Sequence, residues 1–318
     1  MAHPIAARPI LMQMGTTLKQ FQGLGTVHAN VSFFVVLSKQ LPRGNARCYP
    51  HHVRTCFGAR LLHRKSYIRG TKNTAVSDSL VIIPTYNERE NIERIIRKVF
   101  SLEINFHVLI VEDNSPDGTA AIVRGLMEEY KGRLHMEERE GKQGLGTAYI
   151  HGFRWALRQG YEYIFEMDAD FSHPPDSLID LHNACANEGY DVAVGSRYVK
   201  GGRVQNWPIG RIMMSYFASV YVNLVLWSGI RDTTAGFVCY RARVLEAIDL
   251  RAIRFVGYAF QIEMKYTAKK LGFTLTEVPI TFTDRQLGTS KMSTAIFNEA
   301  FLGVLQLRRK KIKRKKVQ

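Results

Sequence analysis

Short apolar runs alternate with segments of helical periodicity from about residue 79 onward. The apolar runs have the length of buried strands and cover residues 80–84, 106–111, 163–167 and 192–195. Helical periodicity, with apolar residues on one face, predicts helices over residues 91–100, from 119 to about 130, and over 144–159. This alternation predicts an α/β fold with a mostly parallel sheet and helices on both faces.

The pattern changes after residue 212. Residues 213–227 are apolar and aromatic on most faces, which fits either an amphipathic helix in a membrane interface or a helix buried against the sheet. A second amphipathic helix is predicted over residues 260–271, and a last strand over 275–282. No window reaches the roughly 18–20 unbroken apolar residues that span a bilayer. We therefore expect a chain that is soluble or peripheral on a membrane, not integral.

The net charge of +16 is concentrated at the two ends of the 318-residue chain. Residues 1–77 contain eleven Lys or Arg and no acidic residue, and residues 308–316 contain eight basic residues and no acidic one. Of the 44 basic residues, 25 lie between these ends, against 28 acidic residues. A nucleic-acid groove through the fold is therefore not indicated. We expect a basic extension at 1–77, a folded domain at 78–307 and a basic tail at 308–318.

Each basic end has two interpretations. The extension is Arg-rich and acid-free like an organelle transit peptide, or it arises from a start codon placed too far upstream, and it is assigned no function. The tail attracts anionic lipid headgroups, at about 1 kcal/mol per Lys or Arg near the surface, or it is simply disordered and solvated.

Two carboxylates follow the apolar run at 163–167. Asp168 and Asp170 are one residue apart, at the place where open α/β sheets bind ligands. Two such oxygen donors can hold a divalent cation, which in turn can hold a diphosphate. An Asp-X-Asp pair alone is a weak signal, because acidic loop pairs are common and usually just solvated.

Further polar groups follow the first two predicted strands. Tyr86 and Glu88 come after the first, where the Gly-x-Gly-x-x-Gly of a dinucleotide-binding unit is absent. An aromatic ring and a carboxylate there suit a nucleoside, although this segment taken alone fits an ordinary turn better. Asp113 after the second strand is placed to accept from a base or a ribose hydroxyl. The Gly-rich segment 140–146 could approach phosphate, but it lacks the P-loop pattern and fits a helix lead-in better. Three carboxylate sites in strand order support one another.

A set of cations lies downstream of these carboxylates. Arg197 and Arg211 are fourteen residues apart, and Arg285 and Lys291 flank a flexible glycine at 288. A single Arg is usually solvated surface, whereas a loop that combines Arg, Gly, Ser and Lys suits anionic oxygens.

Taken together, these motifs resemble one enzyme family. The segments are PTYNE (84–88), DNSPDGT (113–119), GKQGLGTA (141–148), DAD (168–170), GSRY (195–198), DTTAGF (232–237) and FTDRQLGTSKM (282–292). From about Leu80 to about Leu305 the chain resembles the polyprenol-phosphate (dolichol-phosphate) mannosyltransferases, inverting family-2 glycosyltransferases. The resemblance implies a Rossmann-like GT-A fold and is greatest to compact bacterial members without transmembrane helices.

The resemblance also implies roles for individual residues. The guanosine of GDP-mannose would contact Pro84, Tyr86, Glu88, Val111 and Asp113. The diphosphate and its Mg²⁺ or Mn²⁺ would be held by Asp168, Ala169 and Asp170, with Ser172 at a neighbouring metal position where many members have Gln. Donor and acceptor phosphates would be held by Arg197, Arg285 and Lys291, with Arg211 a second acceptor-phosphate arginine. Leu287 stands where many members have an aromatic residue.

The expected activity is transfer of mannose to a polyprenyl or dolichyl monophosphate in a membrane. The expected location is the cytoplasmic face of a membrane, the plasma membrane of a bacterium or the endoplasmic reticulum of a eukaryote. Small membrane subunits stay an open question. The alternatives are the same fold transferring glucose, or another sugar from a UDP-sugar, and a non-catalytic adaptor that uses the basic ends.

Overall fold

The structure is a computed structural model and describes residues 77–284 and 303–315. The chain divides into two compact units, Met1–Gly70 and Thr71–Gln318, and every described residue belongs to the second. The expectations for residues 1–76, and those for Arg285, Leu287 and Lys291, lie outside the described residues.

The described residues form an alternating series of strands and helices. The strands are β1 (Ser79–Thr85), β2 (His107–Glu112), β3 (Leu134–Glu138), β4 (Tyr163–Glu166), β5 (Val192–Ser196), β6 (Arg203–Gln205), β7 (Val238–Arg241), β8 (Leu275–Pro279) and β9 (Thr281–Thr283). The helices are α1 (Ile92–Phe100), α2 (Thr119–Glu129), α3 (Leu145–Gln159), α4 (Ser177–Ala186), α5 (Ile209–Leu226), α6 (Ala242–Ala247) and α7 (Tyr258–Lys270). A helical segment at 303–309 follows.

Seven strands make one sheet in the order β3-β2-β1-β4-β7-β5-β8, and β6 pairs with β9 in a separate two-stranded sheet. All neighbours in the large sheet are parallel except β7, which is antiparallel to both β4 and β5. The predicted mostly parallel α/β fold is confirmed. Five elements were not predicted: β3, α4, β6, β7 and α6. The strands β3, β6 and β7 and the helix α6 have only three to six residues each, and no long apolar run marks α4.

The predicted last strand divides at Ile280. Its first part, β8, pairs with β5, and its second part, β9, pairs with β6. The backbone of Ile280 makes the junction, since its N–H donates to Ser196 and its carbonyl accepts from Arg203. One continuous apolar run in the sequence therefore serves two sheets.

Two apolar layers cover the large sheet. Along β1, Leu80 and Ile82 face a core shared with α3 and α7, whereas Val81 and Ile83 face a core shared with α1, α2 and α4. Helix α3 approaches β1 closely at Gly152, where a Cβ would lie 2.7 Å from the Ile82 side chain. Helices therefore lie on both faces, as the sequence predicted.

Helix α5 exposes most of its apolar side chains. Its exposed large apolar residues are Ile209, Met213, Met214, Tyr216, Phe217 and Leu224. Trp227, just after the end of the helix, is exposed as well. Only 17% of the helix is buried, so the alternative of a helix buried against the sheet is wrong. With 18 residues and a mean hydropathy of 1.4, α5 meets the length and composition needed to cross a membrane, whereas the sequence pattern had indicated no such segment.

The C-terminal basic segment is partly docked on the folded unit. Lys310 Nζ donates to Glu263 Oε1 (2.7 Å) and to the carbonyl of Ala252 (2.6 Å). Arg314 donates to the carbonyl of Leu271, and its guanidinium lies over the ring of Phe273. Of the two interpretations of the tail, a fully disordered and solvated segment does not describe residues 308–315.

Candidate active site

The carboxyl ends of β1, β2 and β4 lie side by side, because these strands are neighbours in the sheet. Each end leads directly into a turn with polar groups, as the sequence predicted. Each turn also contains a non-glycine residue with positive φ: Asn87 (56°), Asn114 (56°) and Phe171 (60°). Asn tolerates this conformation, but a bulky Phe adopts it at an energetic cost, which is typical of functional loops.

The turn after β1 is tied to the start of α2. The N–H of Glu88 donates to Thr119 Oγ1 (3.1 Å), and Glu88 Oε2 accepts from the side chain of Asn91 (3.1 Å). Tyr86 and Glu88 are half-buried, and Lys142 Nζ lies 5.5 Å from the centroid of the Tyr86 ring. Pro84 is half-buried beside them. These groups form a partly open polar surface with one aromatic face.

Asp113, after β2, is held by an arginine that the sequence reasoning missed. Arg139 Nε and Nη2 donate to the two Asp113 oxygens at 2.6 and 2.7 Å, and both side chains are less than 10% exposed. Arg139 Nη1 also donates to Thr147 Oγ1 at the start of α3. Asp113 is therefore a fixed carboxylate. The Val111 side chain, by contrast, is fully buried in the core, so only its main chain can contact a ligand.

Two of the three glycines of segment 140–146 allow close packing. A Cβ on Gly144 would lie 3.1 Å from Val256, and one on Gly146 would lie 2.8 Å from the Phe260 ring. The N–H of Gly146 donates to the carbonyl of Val256 (2.8 Å). The segment leads into α3 and packs against residues 255–260, in agreement with the helix lead-in interpretation.

The loop after β4 carries the two central carboxylates. Asp170 is 7% exposed and accepts from the N–H of Ser172 (3.0 Å), whereas the Asp168 side chain is 38% exposed and accepts from Tyr149 Oη (3.4 Å). Ala169 between them is buried, as is Ser172. One carboxylate is thus fixed inside the loop and the other lies near solvent.

The buried side chain of His173 holds this loop through a hydrogen bond to its main chain. The N–H of Asp168 donates to His173 Nδ1 (3.1 Å), and the imidazole stacks on Phe237. Burial, with Arg197 nearby, lowers the pKa of His173 to about 4 against the opposing effect of Asp170. The ring is therefore neutral, and its Nδ1 acts as an acceptor that orients the main chain between the carboxylates.

The donor set fits a hard divalent cation that completes its shell with ligand oxygens. Asp168 and Asp170 supply carboxylate oxygens, the ligand type that Mg²⁺ and Mn²⁺ prefer. Within residues 77–284 and 303–315, no group of three or more His, Cys, Asp or Glu could hold a metal. Such an ion would therefore be bound by one or two carboxylates together with substrate phosphates and water, which is the usual arrangement for Mg²⁺.

Arg197, after β5, lies in a second buried ion pair. Its Nε and Nη2 donate to Asp232 at 2.7 and 2.6 Å, and its N–H donates to the same carboxylate. Asp232 is fully buried and Arg197 is 9% exposed. Asp232 precedes β7, and since β7 is antiparallel, its entry loop lies at the same sheet edge as the end of β5. Thr234 accepts a further bond from the guanidinium (2.9 Å).

Arg211, in the first turn of α5, has a looser partner. Its Nη1 lies 3.2 and 3.4 Å from the two oxygens of Asp284, and the two side chains are 28% and 31% exposed. The ring of Trp207 lies beside it, with the guanidinium carbon 4.0 Å from the ring centroid.

A cavity of about 210 Å³ lies between the carboxylate loop after β4 and the end of β9. Its walls are Asn91, Arg94, Asp170, Phe171, Thr283 and Asp284. Asp170 and Asp284 therefore border one space, and Asp284 in turn contacts Arg211. Asp168, Asp170 and Arg211 are thus brought to one region.

The sequence reasoning missed six supporting residues: Arg139, His173, Trp207, Asp232, Thr234 and Asp284. Only Asp232, Thr234 and Asp284 lie in segments that carried the family resemblance, and none had a spacing that indicates a role. Their partners come from distant parts of the chain, so no local pattern could identify them.

Comparison with known proteins identifies the family. Residues 80–249 match the model of glycosyl transferase family 2. The chain is 48% identical over 239 residues to a polyprenol monophosphomannose synthase of Mycolicibacterium smegmatis, covering 75% of this chain and 88% of that protein. It is 44% identical over 227 residues to an undecaprenyl-phosphate mannosyltransferase of Micrococcus luteus, covering 71% and 91%.

Solved structures show the same fold. Glucosyl-3-phosphoglycerate synthase from Mycobacterium tuberculosis, in complex with Mn²⁺, UDP and glucosyl-3-phosphoglycerate, superposes with a TM-score of 0.52 at 15% identity, over 72% of this chain and 78% of that one. This likeness agrees with a GT-A fold. The chain belongs to glycosyl transferase family 2.

Proposed function

We propose that the protein transfers mannose from GDP-mannose to a polyprenyl monophosphate, with inversion, giving a β-linked mannosyl phosphate lipid and GDP. The observation that carries the proposal is the meeting of a carboxylate loop (Asp168, Asp170) and two arginines (Arg197, Arg211) at one sheet edge. The 44–48% identity to proteins named for polyprenyl-phosphate mannose transfer supports the same acceptor and sugar.

On the donor side, Tyr86, Glu88 and Asp113 offer one aromatic face and two carboxylates to a nucleoside. Asp113, oriented by Arg139, accepts N–H or O–H donors of the base or ribose. Asp168 and Asp170 are the residues that would hold Mg²⁺ or Mn²⁺. The chemistry that such an ion supplies when bound is neutralisation of charge on the leaving diphosphate.

On the acceptor side, the nucleophile is a phosphate oxygen. A phosphate monoester has a second pKa of about 6, so it is largely dianionic at pH 7 and needs no general base. The protein's task is to bind and orient that dianion, and guanidinium groups do this with paired N–H donors. Arg197 and Arg211 have this role, and Arg285 and Lys291, outside the described residues, are proposed as further cations.

The assay that tests the proposal compares donors. With polyprenyl phosphate as acceptor, GDP-mannose is expected to give a lipid-linked product, and UDP-glucose is not. A protein that prefers UDP-glucose contradicts the proposed sugar and base while leaving the enzyme class intact. Loss of product with a chelator, and its return with Mg²⁺ or Mn²⁺, tests the ion.

We also propose peripheral association with the cytoplasmic face of a membrane through α5. The helix presents Met213, Phe217 and Leu224 to solvent, and apolar side chains of this kind insert into the headgroup boundary. Substitution of Met213 and Phe217 by Ser is expected to reduce flotation with vesicles that contain anionic lipid. Unchanged flotation would rule out this surface.

The basic segment needs a test that leaves its docking intact. Removal of residues 308–318 would also remove Lys310, which contacts Glu263. Neutralisation of the exposed Arg308, Arg309, Lys311 and Lys313 to Gln keeps that contact and is expected to weaken binding to anionic vesicles. Neutralisation of the exposed Arg154 and Arg158 on α3 is the matched control.

A further inference from the structure

Trp207 contacts both arginines proposed for the acceptor phosphate. The guanidinium carbon of Arg211 lies 4.0 Å from the ring centroid, and that of Arg197 lies 5.5 Å from it. Both distances fall within the roughly 6 Å over which a cation is attracted to an aromatic face. One indole therefore links a cation that follows β5 to a cation that begins α5.

Strand pairing fixes the position of this indole. Gln205, at the end of β6, is in register with Thr283 of β9, and its carbonyl accepts from the N–H of Asp284 (3.1 Å). The ring of Phe282 packs edge-on against Trp207, with centroids 5.1 Å apart. The guanidinium of Arg197 also lies over Phe282, at 5.3 Å. The two-stranded sheet thus holds an aromatic platform under the arginines.

A platform of this kind leaves the arginines able to bind an anion. Guanidinium uses its flat face against an aromatic ring and its edge for N–H donors, so stacking fixes the plane without using all five donors. Asp232 and Asp284 each accept some of them. The spacing and tilt of the two guanidinium groups then depend on the ring that both of them contact.

A second observation points to a ligand here. The Nε1 of Trp207 is buried and has no hydrogen-bond partner within the part of the chain that the structure describes. Buried polar atoms are nearly always paired, so an unpaired N–H on a ring that two cations contact indicates an acceptor that arrives with a ligand. A phosphate oxygen has the chemistry required.

We infer that Trp207 binds the acceptor phosphate through its Nε1–H and also positions Arg197 and Arg211 at the spacing that binds the dianion. This inference rests on the proposed function and adds to it a residue that sets acceptor affinity without touching the donor nucleotide. If Trp207 only stabilised the fold, its loss would weaken the binding of both substrates equally.

The test separates the two substrates. With GDP-mannose and a short, water-soluble isoprenyl monophosphate, Trp207→Leu is expected to raise the KM for the acceptor about tenfold, with the donor KM unchanged. Trp207→Phe keeps an aromatic face and is expected to fall between Trp207→Leu and the wild type. Trp155→Leu removes another half-buried indole, one that contacts Tyr161 and His135, and is the matched control.

A binding measurement covers the case in which a variant folds poorly. In a protein whose Trp155 and Trp227 are replaced by Phe, Trp207 is the only tryptophan. With excitation selective for tryptophan, titration with the isoprenyl monophosphate is expected to change its emission saturably. The same titration with Arg211→Gln added is expected to require about tenfold more ligand.

Any of three results overturns the inference. The first is an acceptor KM of Trp207→Leu within twofold of the wild type, the second is an equal rise in its donor KM, and the third is unchanged Trp207 emission in the titration. If the variant that keeps only Trp207 shows the emission change but the wild type transfers no mannose, the proposed function alone is overturned, because the titration needs no transfer.

Discussion

The proposed donor side and the proposed acceptor side of the site each contain one buried arginine–aspartate pair. On the donor side, the carboxylate Asp113 directly follows β2, and Arg139 comes from the loop after β3. On the acceptor side, β5 ends next to the guanidinium of Arg197, and Asp232 comes from the loop before β7. Both pairs have two bonds of 2.6–2.7 Å, and all four side chains are less than 10% exposed.

The difference between the pairs lies in which member the strand carries. After β2, the residue at the strand end is a hydrogen-bond acceptor that faces the proposed nucleoside. After β5, it is a cation that faces the proposed phosphate. In each case the opposite charge, brought from another segment, offsets part of the cost of burial and fixes the orientation. The looser Arg211–Asp284 pair, at 3.2 Å and about 30% exposed, contrasts with both.

The largest expected effect comes from a carboxylate outside both pairs. Asp170→Asn is expected to lower kcat about 1000-fold, because neutralisation of the leaving diphosphate contributes several kcal/mol to the transition state. The measurement is transfer at saturating substrates with Mg²⁺ or Mn²⁺ present. Asp176→Asn, which alters an exposed carboxylate paired with Lys98, is the control, and more than a tenth of wild-type activity in Asp170→Asn contradicts the assignment.

The next largest effect is expected when one member of a buried arginine–aspartate pair loses its charge. Asp232→Asn leaves the Arg197 charge buried and is expected to cost about 3–5 kcal/mol of unfolding free energy. It is also expected to raise the KM for the acceptor alone, whereas Arg139→Met raises the KM for the donor alone. Urea unfolding and steady-state kinetics measure the two effects.

A double variant separates stability from activity in this experiment. Arg197→Met with Asp232→Leu removes both charges and is expected to recover most of the lost stability, because a well-packed apolar pair often replaces a buried ion pair without loss. Activity is expected to stay low. Recovery of activity would show that the Arg197 charge has no role with the acceptor.

The partly exposed pair Arg211–Asp284 is expected to behave differently from the two buried pairs. Arg211→Ala is expected to change the unfolding free energy by less than about 1 kcal/mol, since partly exposed ion pairs contribute little. It is also expected to raise the acceptor KM about tenfold, the effect of losing a hydrogen bond to a charged group. If Arg211→Ala lost as much stability as Asp232→Asn, the proposed difference between Arg197, fixed in a buried pair, and Arg211, in a partly exposed pair, would be wrong.

The smallest expected effect is a pH dependence that sets the conditions for these comparisons. Burial lowers the pKa of His107 to about 4, with further lowering by His135 and Arg133. The unfolded chain, with an ordinary histidine pKa near 6.5, binds more protons between these values, so stability falls as the pH drops from about 6.5 to 4. The urea midpoint is therefore expected to fall between pH 7 and pH 5, less so in His107→Gln. An equal fall in both proteins would remove His107 as a contributor.

Local patterns were enough to predict the two strands that carry the proposed nucleoside-binding residues. The short apolar runs at 80–84 and 106–111 predicted β1 and β2, and the polar residues after them fall at neighbouring strand ends because parallel strands finish at one edge. The acceptor half was harder to predict. Strand β7 has only four residues and is antiparallel, yet it separates β4 from β5 and carries the loop with Asp232 to the edge.

The sequence by itself determined the α/β alternation, the order of the carboxylates Glu88, Asp113 and Asp168/Asp170, and the presence of cations after them. Only the tertiary structure decided which charges are paired. Arg139 lies 26 residues from Asp113, and Asp232 lies 35 residues from Arg197. Periodicity depends on neighbours along the chain, whereas a buried charge selects its partner through space, where desolvation makes the contact obligatory.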